Sequence, residues 1–118
     1  MKKTVLLLML SVCLSIAALP SRDSLAAAAA GVAGRTVTIS NFQFAPQTVT
    51  IRAGGTVMWS NNEGTHTVTA DDDSWASQTL HAGQTFSHQF TKPGTYGYHC
   101  SLHGSPHGDM YGVVKVLR

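Results

Sequence analysis

From Arg35 onward the chain alternates apolar and polar residues with a period of two, the pattern of strands that bury one face. RTVTIS (35–40) puts Val37 and Ile39 on one side. QTVTIRAGG (47–55) does the same with Val49 and Ile51 and closes on the turn pair Gly54-Gly55. TVMWSN (56–61) pairs Val57 with Trp59, HTVTA (66–70) pairs His66 with Val68, and QTFSHQF (84–90) groups Phe86, His88 and Phe90. After the turn TKPGT (91–95), YGYHC (96–100) aligns Tyr96, Tyr98 and Cys100, and VVKV (113–116) ends with Val114 and Val116 inward. Turn residues recur roughly every 8–12 positions, so the pattern predicts an all-β sandwich or barrel of about seven to eight strands. Its core is expected to hold Phe42, Phe44, Trp59, Phe86, Phe90, Tyr96 and Tyr98.

The first 30 residues follow a different pattern. Lys2 and Lys3 precede an apolar run from Thr4 to Leu19, too short to span a bilayer, and the alanines at 26–30 offer small-residue cleavage sites. Residues 1–30 are therefore expected to be a secretory signal cleaved somewhere in 26–31, leaving 31–118 as one domain in the periplasm. No stable membrane insertion is expected once the signal is removed. Lipid anchoring through Cys13 is not expected, because Val12 is too large for the residue before a lipidated cysteine.

Cleavage changes the electrostatics. The chain has eight Lys and Arg against six Asp and Glu. Beyond residue 30 only Arg35, Arg52, Lys92, Lys115 and Arg118 stand against Glu63, Asp71, Asp72, Asp73 and Asp109. The net charge falls to zero and no basic stripe for nucleic acid remains. Of two cysteines only Cys100 stays, so no disulfide can form within the domain. A lone thiol in an oxidising compartment calls for burial, an intermolecular bridge or a metal bond.

Its neighbours favour the metal. Cys100 ends a strand on the core-facing side, and His103 follows three residues later in a segment rich in Gly and Pro. Met110 stands just before the last strand, and His66 faces inward far upstream. Two imidazoles, a thiolate and a thioether are the donors of a trigonal copper site with a weak axial methionine. A single cysteine argues against an iron–sulfur cluster or a structural zinc knuckle.

These residues, with NFQFAPQTVTIRAGGTVMWSNNEGTHTV, FTKPGTYGYHCSLH and MYGVVKV, resemble the cupredoxins, the small blue copper proteins, and within them a plastocyanin- and amicyanin-like bacterial branch. The resemblance runs from about Thr36 to Val116. It implies a Greek-key β-sandwich holding one type 1 copper ion on His66, Cys100, His103 and Met110. Two departures stand out. Six residues, GSPHGD, separate His103 from Met110, where the family usually leaves two to four. This admits a second pairing, Cys100 with His107, which the shorter spacing to His103 disfavours. Thr67 also replaces the asparagine that many members carry after the first histidine, so its hydroxyl, with Asn61 or Asn62, is expected to brace the site.

The other histidines are expected elsewhere: His99 turned away from the metal and solvated, His88 partly buried and hydrogen-bonded, His81 and His107 exposed. Asp71-Asp72-Asp73 reads as a solvated turn or as a steering patch for a basic partner. The resulting expectation is a monomeric electron carrier, not an enzyme, exchanging single electrons with a c-type cytochrome, a copper oxidase or reductase, or a dehydrogenase. The competing reading is a periplasmic copper-delivery protein without an electron-transfer role.

Overall fold

The computed structural model describes residues 34–118. The expected signal segment, residues 1–30 with its cleavage region at 26–31, lies outside the described residues. Eight strands follow in order: β1 Arg35–Ser40, β2 Gln43–Ala45, β3 Thr48–Arg52, β4 Thr56–Asn61, β5 Thr69–Ala70, β6 Thr85–Gln89, β7 Gly94–His99 and β8 Tyr111–Leu117. They form two four-stranded sheets, ordered β2-β1-β4-β6 and β3-β8-β7-β5, and the chain crosses repeatedly from one to the other. This is the Greek-key sandwich that the resemblance implies.

Alternation explains the packing. Val37, Ile39, Val57 and Trp59 project from one sheet, and Val49, Ile51, Tyr98, Val114 and Val116 from the other, each at most 5% exposed. Burying a large apolar side chain contributes about 1.5–3 kcal/mol, so these inward positions decide register. Leu80 and Trp75, not singled out by periodicity, also join this core. Phe42 does not: it is 61% exposed, because Asn41 and Phe42 both adopt positive φ (55° and 56°) and turn the ring out of the strand pattern. The predicted strand HTVTA shrinks to two residues, and His66 instead makes an isolated bridge to Leu80.

Tyr98 carries a pH consequence. It is fully buried, and desolvation pushes its hydroxyl from 10.0 up to about 12, opposed slightly by the nearby Trp59 indole. The two rings meet edge-on at 5.2 Å, yet Trp59 Nε1 and Tyr98 OH both fall outside hydrogen-bond geometry. The indole therefore acts on the hydroxyl as a nearby dipole. The folded state holds this proton more tightly than the unfolded chain does. Tyr98 should leave stability unchanged below pH 10 and withdraw about 3 kcal/mol as pH rises from about 10 towards 12. Urea titrations across this range should show a shallower alkaline loss in Tyr98→Phe than in the parent. Equal slopes would assign the loss to other groups.

Register also places the site. Parallel pairing aligns the ends of β1 and β4 (Ile39 opposite Asn61), and antiparallel pairing sets the end of β7 against the start of β8 (His99 opposite Tyr111). The Asn41-Phe42 turn, the 62–68 segment and the 100–110 loop all leave these strand ends.

Candidate metal centre

Cys100 follows β7 directly and is fully buried. Its backbone is tied to the far limb of its own loop, Cys100 N donating to Met110 O at 3.0 Å. The loop turns back at once, because the N–H groups of His103 and Gly104 both donate to Cys100 O, at 3.4 and 2.8 Å. The limbs touch where Gly104 meets Met110: a Cβ at Gly104 would lie 2.8 Å from Met110 O and 3.0 Å from its N. Such a close approach requires the missing side chain. Met110 is thereby fixed beside Cys100 with only 1% of its surface exposed.

His66 arrives on the segment that links β4 of one sheet to β5 of the other. Its backbone is bonded to Leu80 in both directions, at 3.0 and 2.8 Å. Buried Asn61 braces the same segment, donating through Nδ2 to Gly64 O at 2.9 Å and Leu80 O at 3.0 Å. Burial, and the neighbouring His103 imidazole, hold His66 below its ordinary pKa. That favours the neutral ring a metal requires.

Three side chains converge. Cys100 Sγ lies 3.8 Å from His66 Nδ1 and 3.6 Å from His103 Nδ1, and the two Nδ1 atoms are 3.1 Å apart. Metal–nitrogen bonds of about 2.0 Å and metal–sulfur bonds of about 2.3 Å place neighbouring donors about 3–4 Å apart around one ion. The spacing and chemistry of the three donors therefore fit a single soft-to-borderline metal. With Met110 buried on the same loop, the four residues make a type 1 copper site-like arrangement.

The thiolate has a partner of its own. Thr67 N points its hydrogen at Cys100 Sγ, 3.4 Å away. Thr67 Oγ1 accepts from Ser101 N at 2.8 Å and meets Ser101 Oγ at 2.8 Å. The threonine thus binds the His66 segment to the Cys100 loop, where an asparagine was the family expectation. Asn61 acts on the backbone before His66, while exposed Asn62 meets Ile39 O through its backbone only.

Phe42 covers the imidazoles. Its ring packs edge-on to His66 at 5.7 Å and to His103 at 5.0 Å. Asn41 N donates to Glu63 Oε1, which ties this turn to the segment before His66. Alternation placed Phe42 in the core; no periodic signal reports two consecutive left-handed residues.

The remaining histidines separate. His99 lies outside the three-donor cluster, as parity suggests, but it is not solvated. It is 9% exposed and its Nδ1 is 2.7 Å from Asp71 Oδ1, so Asp71 is a pairing group as well as part of a turn. His88 is half-buried by stacking on Trp75 at 4.7 Å, and its ring has no side-chain hydrogen bond among the described residues. His81 is exposed, its Nδ1 3.5 Å from Thr65 Oγ1. His107 stands away from Cys100, exposed, with Nε2 3.9 Å from Asp71 Oδ2.

Comparison with known proteins gives a consistent picture. Residues 32–117 match the model of copper binding proteins of the plastocyanin/azurin family. The chain is 40% identical over 85 residues to plastocyanin from Scenedesmus fuscus, covering 62% of this chain and 85% of that protein. It is 36% identical over 115 residues to amicyanin-alpha from Methylorubrum extorquens, covering 85% and 93%. It spans about half (54%) of the chloroplastic plastocyanins of rice and barley. A copper-containing nitrite reductase from Thermus scotoductus superposes with a TM-score of 0.63 at 28% identity, over 72% of this chain and 22% of that one.

Proposed function

The chain belongs to the plastocyanin/azurin family of copper-binding proteins, and from that premise we propose that it is an exported blue copper protein that carries single electrons between redox partners. In this reading His66, Cys100 and His103 bind the copper and Met110 is its weak axial ligand. Bound copper supplies a one-electron couple. The carrying observation is the convergence of one buried sulfur and two Nδ1 atoms within 4.8 Å of one another, His66 held by its bridge to Leu80 and Cys100 and His103 by the turn they share. Donors fixed in this way need little rearrangement when the charge changes.

The chain's own residues divide the work. Thr67 N–H offsets negative charge on the Cys100 sulfur, and the Thr67–Ser101 contacts hold the two segments together. Phe42 shields the ligand rings from water on the open side. His103 alone of the three is exposed, beside Leu102 at 53% and Phe42 at 61%. A small apolar rim around an exposed ligand edge favours a brief, weak contact with a partner. A c-type cytochrome, a copper oxidase or reductase, or a dehydrogenase fits this rim. An electron carrier without enzymatic activity, monomeric and periplasmic after loss of residues 1–30, is the whole of the proposal.

Voltammetry of the copper-loaded protein tests it. A reversible one-electron wave, with copper retained against a mild chelator, is the expected result. Rapid copper loss with no reversible wave would replace the carrier with a copper-delivery protein. Met110→Leu should retain the visible colour and shift the potential on the order of tens of millivolts, since the axial ligand tunes such sites. An unchanged potential removes Met110 from the coordination sphere.

A further inference from the structure

A second group of imidazole and carboxylate side chains lies on the β5–β7 flank, outside the ligand set above. Asp71 follows β5, and its N–H donates to Gly97 O at 3.0 Å. Its carboxylate rests on the bare Cα of Gly97, where a Cβ would collide with Oδ2. The two oxygens face different imidazoles: Oδ1 is 2.7 Å from His99 Nδ1, and Oδ2 is 3.9 Å from His107 Nε2. The carboxylate and the His99 ring are mostly buried, whereas the His107 side chain is 78% exposed. A cleft of about 300 Å³ opens here, lined by Asp71, Asp72, Trp75, Tyr96 and His107 among others.

An ordinary ion pair explains only the first contact. The gap between Asp71 and His107 is wider than a hydrogen bond and close to the separation of two donors around one cation, about 3–4 Å. The 2.7 Å contact to His99 is a hydrogen bond whose place a metal would take. His107 is held at φ 56°, a left-handed conformation rare for a residue with a side chain. It sits on a turn closed by Gly108 N donating to Ser105 O at 2.8 Å. The three nitrogen and oxygen donors are more widely spread than those around Cys100, and the exposed His107 side chain is the one free to close them.

We propose that Asp71, His99 and His107 form a second site, which takes one divalent transition cation through imidazole and carboxylate donors and uses the 101–110 loop as its movable wall. Such donors suit zinc, copper(II) and nickel. The six-residue spacer between His103 and Met110 then has a purpose, because it carries His107 across to Asp71. Occupancy would pin the loop to β5.

Calorimetric titration of Zn²⁺ into the copper-loaded protein, with the visible spectrum followed in parallel, tests the site. One further equivalent should bind with the colour unchanged. His107→Gln, an exposed change that leaves the core intact, and Asp71→Asn should each weaken it by about ten- to a hundredfold. No binding beyond copper, binding only as the colour disappears, or unaltered affinity in His107→Gln would overturn the proposal. The site does not depend on the electron-carrier reading, which fails on the copper couple rather than on zinc.

Discussion

Cys100→Ser is expected to abolish the intense visible absorption of the copper-loaded protein and to lower its copper affinity by more than about a hundredfold, while the β-sandwich stays folded. The colour depends on a thiolate–copper bond, and Cys100 is the one cysteine among the described residues that can supply it. Serine keeps the volume close to that of cysteine, so little of the surrounding packing is lost. The backbone bonds of Cys100 to Met110, His103 and Gly104 involve main-chain atoms and survive the change. Only the contact from Thr67 N changes its acceptor, from sulfur to a shorter hydroxyl. Far-ultraviolet circular dichroism and a visible spectrum on the same sample distinguish lost chemistry from lost fold. Colour that persists in a folded variant would remove Cys100 from the metal.

The second large effect concerns the two histidines of the loop. His103→Gly should remove the colour or convert it to that of a different site, because Nδ1 of His103 lies 3.6 Å from the sulfur and 3.1 Å from the Nδ1 of His66. Added imidazole should restore the band, entering the space left at an exposed edge. His107→Gly should leave the spectrum as it was, since His107 faces Asp71 and meets the Tyr111 ring edge-on at 6.1 Å. Its positive φ of 56° is one that glycine adopts freely, so the variant should lose none of its stability through the backbone. Loss of colour in His107→Gly alone would reverse the assignment.

Much of this was readable from the chain because strand parity is a local property. Val37, Val49, Val57, Tyr98, Cys100 and Val114 follow it, and each points inward. Spacing put His103 one turn from Cys100, and the loop bonds bring their donor atoms within reach. What stayed hidden depends on partners remote in sequence or on backbone conformations without a residue signature. His99 has the right parity and the wrong environment, because Asp71, 28 residues earlier, pairs with it. Phe42 breaks its pattern through left-handed residues that are not glycine. Trp75 packs in the aromatic cluster from a loop with no period at all. Met110 was placed by its position before the last strand and by resemblance, and its close approach to the Cys100 limb depends on the bare Cα of Gly104, which spacing does not report.

The two halves of the copper centre differ in how they are fastened. His66 sits in a reciprocal bridge to Leu80, reinforced by a buried asparagine. His103 depends on a short turn whose own bonds, from His103 N and Gly104 N, both close on Cys100 O within the loop, and its side chain faces solvent. Opening the turn sacrifices a few local bonds and little apolar burial, so it belongs to the low-energy end of the molecule's fluctuations. Releasing His66 would mean parting the sandwich. Metal traffic should therefore be one-sided. An ion would enter and leave past His103, with Cys100 and His66 as the last contacts broken and the first made. Amide hydrogens of 103–109 should exchange well before those of His66 and Leu80.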